Sequence, residues 1–316
     1  MSVRTRNGIL GSGLSVFVAC AAILAITVLS GLHFAAKADD DASKVVMYNS
    51  IPKPLPANVS SEGPEAYAYS QIGDGVMLAG PDGRTLDKVS VVLSSWGCQS
   101  GNWYTGETCT TTPGATYNLP ITVNIYSVNT NGTSLEGATP EPAPGTLLAT
   151  LTENFDVPYR PSADAVNCNS GQWYDQKDQT CFNGFASTIT FDLSSQKVKL
   201  PKLVIVGFQF NSTDYGPNPI GTTSCNATSE GCFYDSLNIS TDSNEGNYKA
   251  IGAVLDVDGI FINYSAPGAA ACSTPFAEHT FGLDAGPGCW TGYHPEIQVT
   301  ATKKDGEKDV KHGHQP

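Results

Sequence analysis

Basic side chains are scarce in this sequence. The chain carries 17 Lys and Arg residues against 30 Asp and Glu residues, which gives a formal net charge of −13. Binding to a nucleic acid depends on clustered Lys and Arg side chains that neutralise phosphates. The charge balance therefore argues against a nucleic-acid partner, and it is compatible with a cation or a neutral ligand.

Histidine is also scarce, and the sequence motifs of common hydrolases are missing. Only His279 and His294 lie between the N-terminal segment and the C-terminal tail, and neither Gly-x-Ser-x-Gly nor His-Glu-x-x-His occurs. Because Asp and Glu are plentiful, a carboxylate pair for glycoside hydrolysis cannot be recognised by spacing alone. We expect a non-catalytic protein, and a secreted carbohydrate-active enzyme stays as a less favoured alternative.

The sequence has a single long apolar run, Leu14–Leu29, and no second stretch long enough to span a bilayer. Arg4 and Arg6 precede this run, and Ala36-Lys37-Ala38 follows it just before an acidic stretch. This order is typical of a secretory signal peptide, with cleavage expected after Ala38. An uncleaved membrane anchor is the competing interpretation, so we expect contact with a membrane only in that case.

Nine cysteines are present, and Cys20 falls within the predicted signal peptide. An even number of remaining cysteines in an exported chain indicates disulfides, because an oxidising compartment preserves them. Their spacing does not suit a four-cysteine zinc site, whose ligands are grouped about two to four residues apart. The short local separations predict four sequential disulfides: Cys98–Cys109, Cys168–Cys181, Cys225–Cys232 and Cys272–Cys289.

Apolar and polar residues alternate in short segments bounded by Gly, Pro, Asn, Asp and Ser, a pattern typical of β-strands. No amphipathic helix of three turns is present, so we predict an all-β, antiparallel sandwich. The predicted organisation is a signal peptide (1–38), a proline-rich linker with room for one early strand (39–65), the β-sandwich (66–301) and a disordered charged tail (302–316). The clearest predicted strands are 86–96, 120–128, 146–158, 186–193, 202–210, 248–255, 259–264 and 295–301.

Two of the predicted connections repeat a segment. CQSGNWYTGETC spans Cys98–Cys109 and CNSGQWYDQKDQTC spans Cys168–Cys181, each with Ser-Gly-x-Trp-Tyr. Successive strands of an antiparallel sandwich run in opposite directions, so alternate connections lie at the same end. The four cysteine pairs fall in the first, third, fifth and seventh connections. We therefore expect long disulfide-closed loops gathered at one end of the sandwich.

Aromatic side chains accompany these loops. An aromatic ring beside short polar side chains suits a sugar, because the ring covers the C–H face while amides and carboxylates bond the hydroxyl groups. The alternative is that each Trp packs on its own disulfide and only holds the loop. The sugar hypothesis requires partly exposed indoles at Trp103 and Trp173. The candidate ligand-contacting residues are Trp103, Tyr104, Trp173, Tyr174, Trp290 and Tyr293.

Four segments of the chain resemble a known group of proteins. They are Ser90-Val-Val-Leu-Ser-Ser-Trp-Gly-Cys, Ile121-Thr-Val-Asn-Ile-Tyr, Pro144-Gly-Thr-Leu-Leu-Ala-Thr and Tyr234-Asp-Ser-Leu-Asn. The group consists of uncharacterised exported proteins, mainly actinobacterial, with jelly-roll sandwiches of the choice-of-anchor kind. The resemblance covers residues 66–300 and implies a jelly-roll fold, but no known catalytic residue. Jelly-roll sandwiches often carry a structural calcium ion, so such an ion stays open although no cofactor is predicted.

These features together predict a secreted recognition protein that binds a carbohydrate or a cell-envelope surface through its aromatic loop end. The first alternative, from another functional class, is a structural or adhesion protein whose partner is another protein.

Overall fold

The alternating pattern of the sequence forms two antiparallel β-sheets that share one hydrophobic core. The computed structural model describes residues 43–63, 69–101, 109–129, 143–210, 237–242, 251–255, 260–264, 281–283 and 292–303. Among these residues there is no α-helix, and hence none long and apolar enough to cross a membrane. The all-β class expected from the sequence is confirmed.

The regular secondary structure of the described residues consists of seventeen strands and one short 3₁₀ turn, Ser194–Gln196. The strands in chain order are β1 (Lys44–Asn49), β2 (Ser61–Glu62), β3 (Tyr69–Met77), β4 (Arg84–Ser95), β5 (Thr116–Asn129), β6 (Ala143–Pro158), β7 (Trp173–Asp175), β8 (Thr180–Phe182), β9 (Phe185–Asp192), β10 (Lys199–Leu200), β11 (Leu203–Gln209), β12 (Leu237–Asp242), β13 (Ala253–Val254), β14 (Ile260–Tyr264), β15 (Phe281–Leu283), β16 (His294–Pro295) and β17 (Ile297–Thr302).

The first sheet is built around β4. This long strand pairs with β17 and then with β12 along one edge, and with β9 and β10 along the other. β1 extends the sheet beyond β17, while β2 and β16 pair with β12. The second sheet has the order β15-β14-β3-β11-β5-β6, with β13 also paired to β3. β7 and β8 form a separate hairpin.

The two sheets pack through apolar side chains at every second position, as the period-two pattern predicts. Phe191 of the first sheet contacts Phe155 and Phe208 of the second, at ring-centroid distances of 4.8 and 6.2 Å. The positions of β4 and β11 that contribute to the shared core include Val89, Val91, Leu93, Val204, Val206 and Phe208. The architecture is thus sandwich-like, whereas the jelly-roll strand order stays a prediction.

The sandwich begins earlier in the chain than residue 66. β1 and β2 both lie within the segment expected to be a linker, and β1 pairs with β17 over most of its length. β3 is also absent from the predicted strands, because Gly73, Asp74 and Gly75 interrupt its apolar alternation. Glycine is required at position 73, since a Cβ there would lie 2.2 Å from the carbonyl oxygen of Val206 on β11.

Of the strand predicted at 248–255, the described part contains only the short β13, Ala253–Val254, which pairs with β3. The strand beside the end of β4 is β12 instead. Its polar residues, Asn238, Ser240 and Thr241, are buried. Because these positions are polar although buried, the sequence pattern did not mark β12 as a strand.

Candidate functional site

The loops closed by Cys98–Cys109 and Cys168–Cys181 lie at the same end of the sandwich, and both disulfides are formed. β4 ends where β9 begins, and β5 begins where β6 ends. The connection from β4 to β5 and the connection from β6 to β9 therefore leave and re-enter the sheets at one end. The alternation argument is confirmed for these two loops, which we call the first and second disulfide loops.

The flanks of a third cysteine-bearing connection meet the same end. β11 runs towards the beginning of β5 and ends at Gln209, which pairs with Thr122 in the middle of that strand, and β12 begins at Leu237 beside Ser95. The cysteines themselves lie outside the described residues, so the remaining two disulfides stay predictions. The predicted disulfide and ligand-contacting residues that lie outside the described part of the chain are Cys225, Cys232, Cys272, Cys289, Trp103, Tyr104 and Trp290.

Hydrogen bonds join the first disulfide loop to the segment that leads into the second. The Ala163 amide donates to the Cys109 carbonyl oxygen at 3.0 Å. The Ser162 hydroxyl accepts from the Thr111 amide at 2.8 Å and donates to the Thr111 carbonyl at 3.1 Å. The two loops consequently form one continuous surface, residues 98–101, 109–112 and 161–182, which we call the paired-loop surface.

Arg160 lies at the base of this surface and is fully buried. Its amide donates to the Gly97 carbonyl oxygen at 3.1 Å, and its Nη2 donates to the Gly171 carbonyl oxygen at 2.7 Å. Its Nε donates to the Pro161 carbonyl oxygen at 3.3 Å, while Nη1 has no partner among the described residues. Burial lowers the pKa of Arg160 to about 10, so the side chain is still protonated at neutral pH. Arg160 thus connects the stems of both loops, through its main-chain amide to the first and through its buried guanidinium to the second.

The glycine of the repeated Ser-Gly segment has a similar backbone conformation in each loop, whereas the serine differs, because Ser170 has a φ angle of 55° and Ser100 lies in a β-bridge. Gly101 and Gly171 have φ angles of 70° and 72°, in the left-handed region that glycine adopts without steric cost. The first loop is closed beyond its disulfide by a backbone bridge between Ser100 and Thr110, and the second contains the β7–β8 hairpin. The two copies of the repeat therefore share a left-handed glycine, which is followed by different loop closures.

Trp173 is buried, and the expectation of an exposed indole is wrong for this residue. Its side chain is 5% exposed, and its Nε1 donates to the Gly184 carbonyl oxygen at 2.7 Å. The ring contacts Phe182 and Phe185 at centroid distances of 5.5 and 5.8 Å. The β7–β8 hairpin folds Trp173 against the beginning of β9, so its indole packs inside the protein.

The other two described candidates occupy different environments. Tyr174 follows Trp173 on β7, is half-exposed, and pairs with Cys181 across the hairpin. Tyr293 is partly buried and packs against the main hydrophobic core, just before β16. Of the three described candidates, Tyr174 is the one that belongs to a disulfide loop and is also half-exposed.

Trp96 packs on a disulfide, the role that the alternative hypothesis gives to the repeated Trp residues. It is 6% exposed and forms a small apolar cluster with Cys98 and Cys109, against which Ala163 also packs. Its Nε1 donates to the Ser94 hydroxyl at 3.1 Å. The sequence signal was its position two residues before the first cysteine of the loop.

His294, one of the two histidines between the N-terminal segment and the C-terminal tail, lies in the interior. It is 3% exposed, and its Nδ1 lies 3.2 Å from Oδ2 of the fully buried Asp74. In this arrangement the imidazole is not accessible to a substrate at the surface. His279, the other histidine, lies outside the described residues.

No three His, Cys, Asp or Glu side chains of the described residues form a group that could hold a metal ion, and the structural calcium ion stays a prediction. Comparison of the chain with protein-family models, with curated proteins and with solved structures found no match.

Proposed function

We propose that the protein is a secreted, non-catalytic recognition protein that binds a carbohydrate or a cell-envelope surface through the paired-loop surface. The observation that carries this proposal is the juxtaposition of two disulfide-closed loops joined by hydrogen bonds. Groups on such loops are already ordered, so a ligand that contacts them loses little conformational entropy to the loops. The two disulfides indicate an oxidising compartment, which supports export by the predicted signal peptide.

The chemistry of the paired-loop surface suits a ligand rich in hydroxyl groups. Amide and hydroxyl side chains both donate and accept hydrogen bonds, as sugar hydroxyls do. Tyr174 adds a half-exposed aromatic ring beside them. The exposed polar residues of the described loops include Gln99, Ser100, Thr110, Thr112, Asn167, Asn169 and Ser170.

One feature favours the alternative of a protein partner. Val166 is 91% exposed at the paired-loop surface. Its turn is held by Asp164, whose Oδ1 accepts from the amides of Val166 and Asn167 at 2.9 and 3.0 Å. An ordered, exposed apolar side chain can insert into a pocket of another protein at low entropic cost.

A glycan array followed by calorimetric titration of any bound glycan tests the carbohydrate proposal. Tyr174→Ala should weaken binding by about 1–3 kcal/mol, as expected for an aromatic contact at an interface. Leu147→Ala is the matched control, because Leu147 is 48% exposed but lies towards the other end of β6. Unchanged affinity in Tyr174→Ala, or an equal loss in both variants, would contradict the proposed site.

The same purified protein distinguishes carbohydrate binding from the alternative of a protein partner. If no glycan or envelope polymer binds, the carbohydrate proposal is wrong. Retention of an envelope protein that is lost in Val166→Asp and kept in Leu147→Ala would then support a protein partner.

A further inference from the structure

Two oppositely ionisable side chains meet inside the sandwich, between the sheets. Asp74 lies on β3 between Ile72 and Val76, and all three side chains are fully buried. His294 of β16, which pairs with β12 of the first sheet, places Nδ1 3.2 Å from Asp74 Oδ2. Because β3 belongs to the second sheet, this contact connects the two sheets through polar groups.

Glu296 follows β16, at the bend that leads into β17, and is 2% exposed. Its side chain accepts a hydrogen bond from the Ser240 hydroxyl on β12. Its carbonyl oxygen accepts from the Val92 amide on β4 at 3.0 Å. Glu296 is therefore joined by hydrogen bonds to β12 and to β4. We call the segment formed by β12, β16 and the beginning of β17 the corner.

Burial raises the pKa of Glu296 to about 7. The hydrogen bond from Ser240 acts in the opposite direction, and the nearby charge of Asp242 raises the pKa further. A carboxyl group that holds its proton up to this pH is neutral in mildly acidic solution and ionised in mildly alkaline solution.

The ionisable groups on the elements around Glu296 are mostly acidic. Asp242 lies on β12 opposite His294 of β16, Asp74 lies on β3, and Glu62 lies on β2 beside β12. β4 meets the corner at Val92. Ionising Glu296 places a negative charge near that of Asp242 in this poorly solvated region, at a cost that a proton on its carboxyl group avoids.

We propose that Glu296 is a pH-sensitive latch, whose protonated form keeps the corner closed and whose ionisation loosens it. The direction follows from linkage: a carboxyl group that binds its proton more tightly in the closed form favours closure most below its solvent-exposed pKa. The contribution declines as the pH rises towards the pKa of the closed form, and it is constant above that value. The corner is thus closed most firmly in mildly acidic surroundings. This latch is independent of the proposed ligand and of the paired-loop surface.

Amide hydrogen exchange measured at pH 5 and pH 8 tests the latch in the full mature chain, after correction for intrinsic base-catalysed exchange. In the wild type, the opening equilibrium of the amides of β12 and of residues 294–297 should rise by on the order of 50-fold. Amides in the middle of β5 serve as an internal reference. Glu296→Gln keeps an acceptor for Ser240 but cannot ionise, so the rise should disappear. The control Glu153→Gln, on β6, should keep it.

Two further variants should change the rise in the opening equilibrium between pH 5 and pH 8 in opposite directions. They test the proposal if Glu296→Gln fails to fold. Asp242→Asn removes a charge that raises the pKa of Glu296, so the rise should become smaller. Ser240→Ala removes the hydrogen bond that lowers this pKa, so the rise should become larger. A purely structural role would change exchange equally at both pH values. That result, or a wild type whose corner amides do not respond to pH, would overturn the proposal.

Discussion

Replacement of Trp173 by alanine should lower the stability of the fold. The indole is 5% exposed, packs against Phe182 and Phe185, and donates a hydrogen bond to the Gly184 carbonyl oxygen. Alanine would leave a cavity beside both phenylalanines and an unpaired carbonyl group. Each of these changes destabilises the folded state without touching the surface.

The magnitude follows from the buried area and the hydrogen bond. A large aromatic side chain buries about 150–250 Å², which corresponds to roughly 4–6 kcal/mol at about 25 cal/mol per Å². Residual burial in the unfolded chain reduces this value, and the lost hydrogen bond adds ~1 kcal/mol. We expect a loss of about 3–5 kcal/mol in the free energy of unfolding, or a fall in Tm of roughly 6–20 °C for a domain of this size.

Urea unfolding followed by circular dichroism measures this loss. Tyr174→Ala is the matched control, because Tyr174 is the next residue on β7 and is half-exposed. It should cost less than about 1 kcal/mol. Trp173→Phe keeps a ring but loses the N–H donor, so its effect should lie between those of the two alanine variants. The reasoning is refuted if the free energy of unfolding of Trp173→Ala lies within about 0.5 kcal/mol of the wild-type value, or if Tyr174→Ala lowers this free energy more than Trp173→Ala does.

Three further outcomes are expected. Under mild reductant, the Cys168–Cys181 disulfide should be reduced before the Cys98–Cys109 disulfide, because Cys181 is partly exposed whereas Cys98 and Cys109 are both buried. Differential alkylation and mass spectrometry measure the order of reduction, and the reverse order would contradict the prediction. Gly73→Ala should destabilise the fold by about 2 kcal/mol or more, since its Cβ would overlap the Val206 carbonyl oxygen, and an unchanged urea midpoint would exclude this close approach. The free energy of unfolding should fall by roughly 3 kcal/mol between pH 4.5 and pH 7 through Glu296 alone, so the difference between the wild type and Glu296→Gln should vary with pH by that amount.

The sequence pattern predicted the strands whose buried positions are apolar. β4 and β5 largely alternate apolar and polar residues, whereas β11 is a short, nearly continuous apolar run, and the inward positions of all three strands are mostly Val, Ile, Leu or Phe. The sequence pattern did not predict β3 and β12 because these strands place polar side chains in the interior. Asp74 is paired with His294 across the sheets, and Ser240 is paired with Glu296. A strand that satisfies its buried polar groups by tertiary contacts cannot be recognised from local hydrophobicity.

The candidate site was predicted in its location but not in its contacts. Chain direction alone places the first two disulfide loops at one end, because antiparallel strands alternate in direction. The burial of Trp173 depends on how the β7–β8 hairpin folds back onto Phe185, a tertiary contact that no spacing in the sequence records. The buried role of Arg160 was likewise invisible, since its partners are main-chain carbonyl groups that every residue possesses.

Several of the links between the two disulfide loops use main-chain atoms as acceptors. Carbonyl groups in both loops accept from Ala163 and Arg160, and these bonds do not depend on which side chains the loop tips carry. Residues such as Gln176–Gln179, which form the exposed tip of the β7–β8 hairpin, can therefore change while the loops keep their relative positions. This end of the sandwich has the property that protein engineers seek in a scaffold for randomised libraries: the exposed residues at the hairpin tip are separate from the bonds that join the two loops.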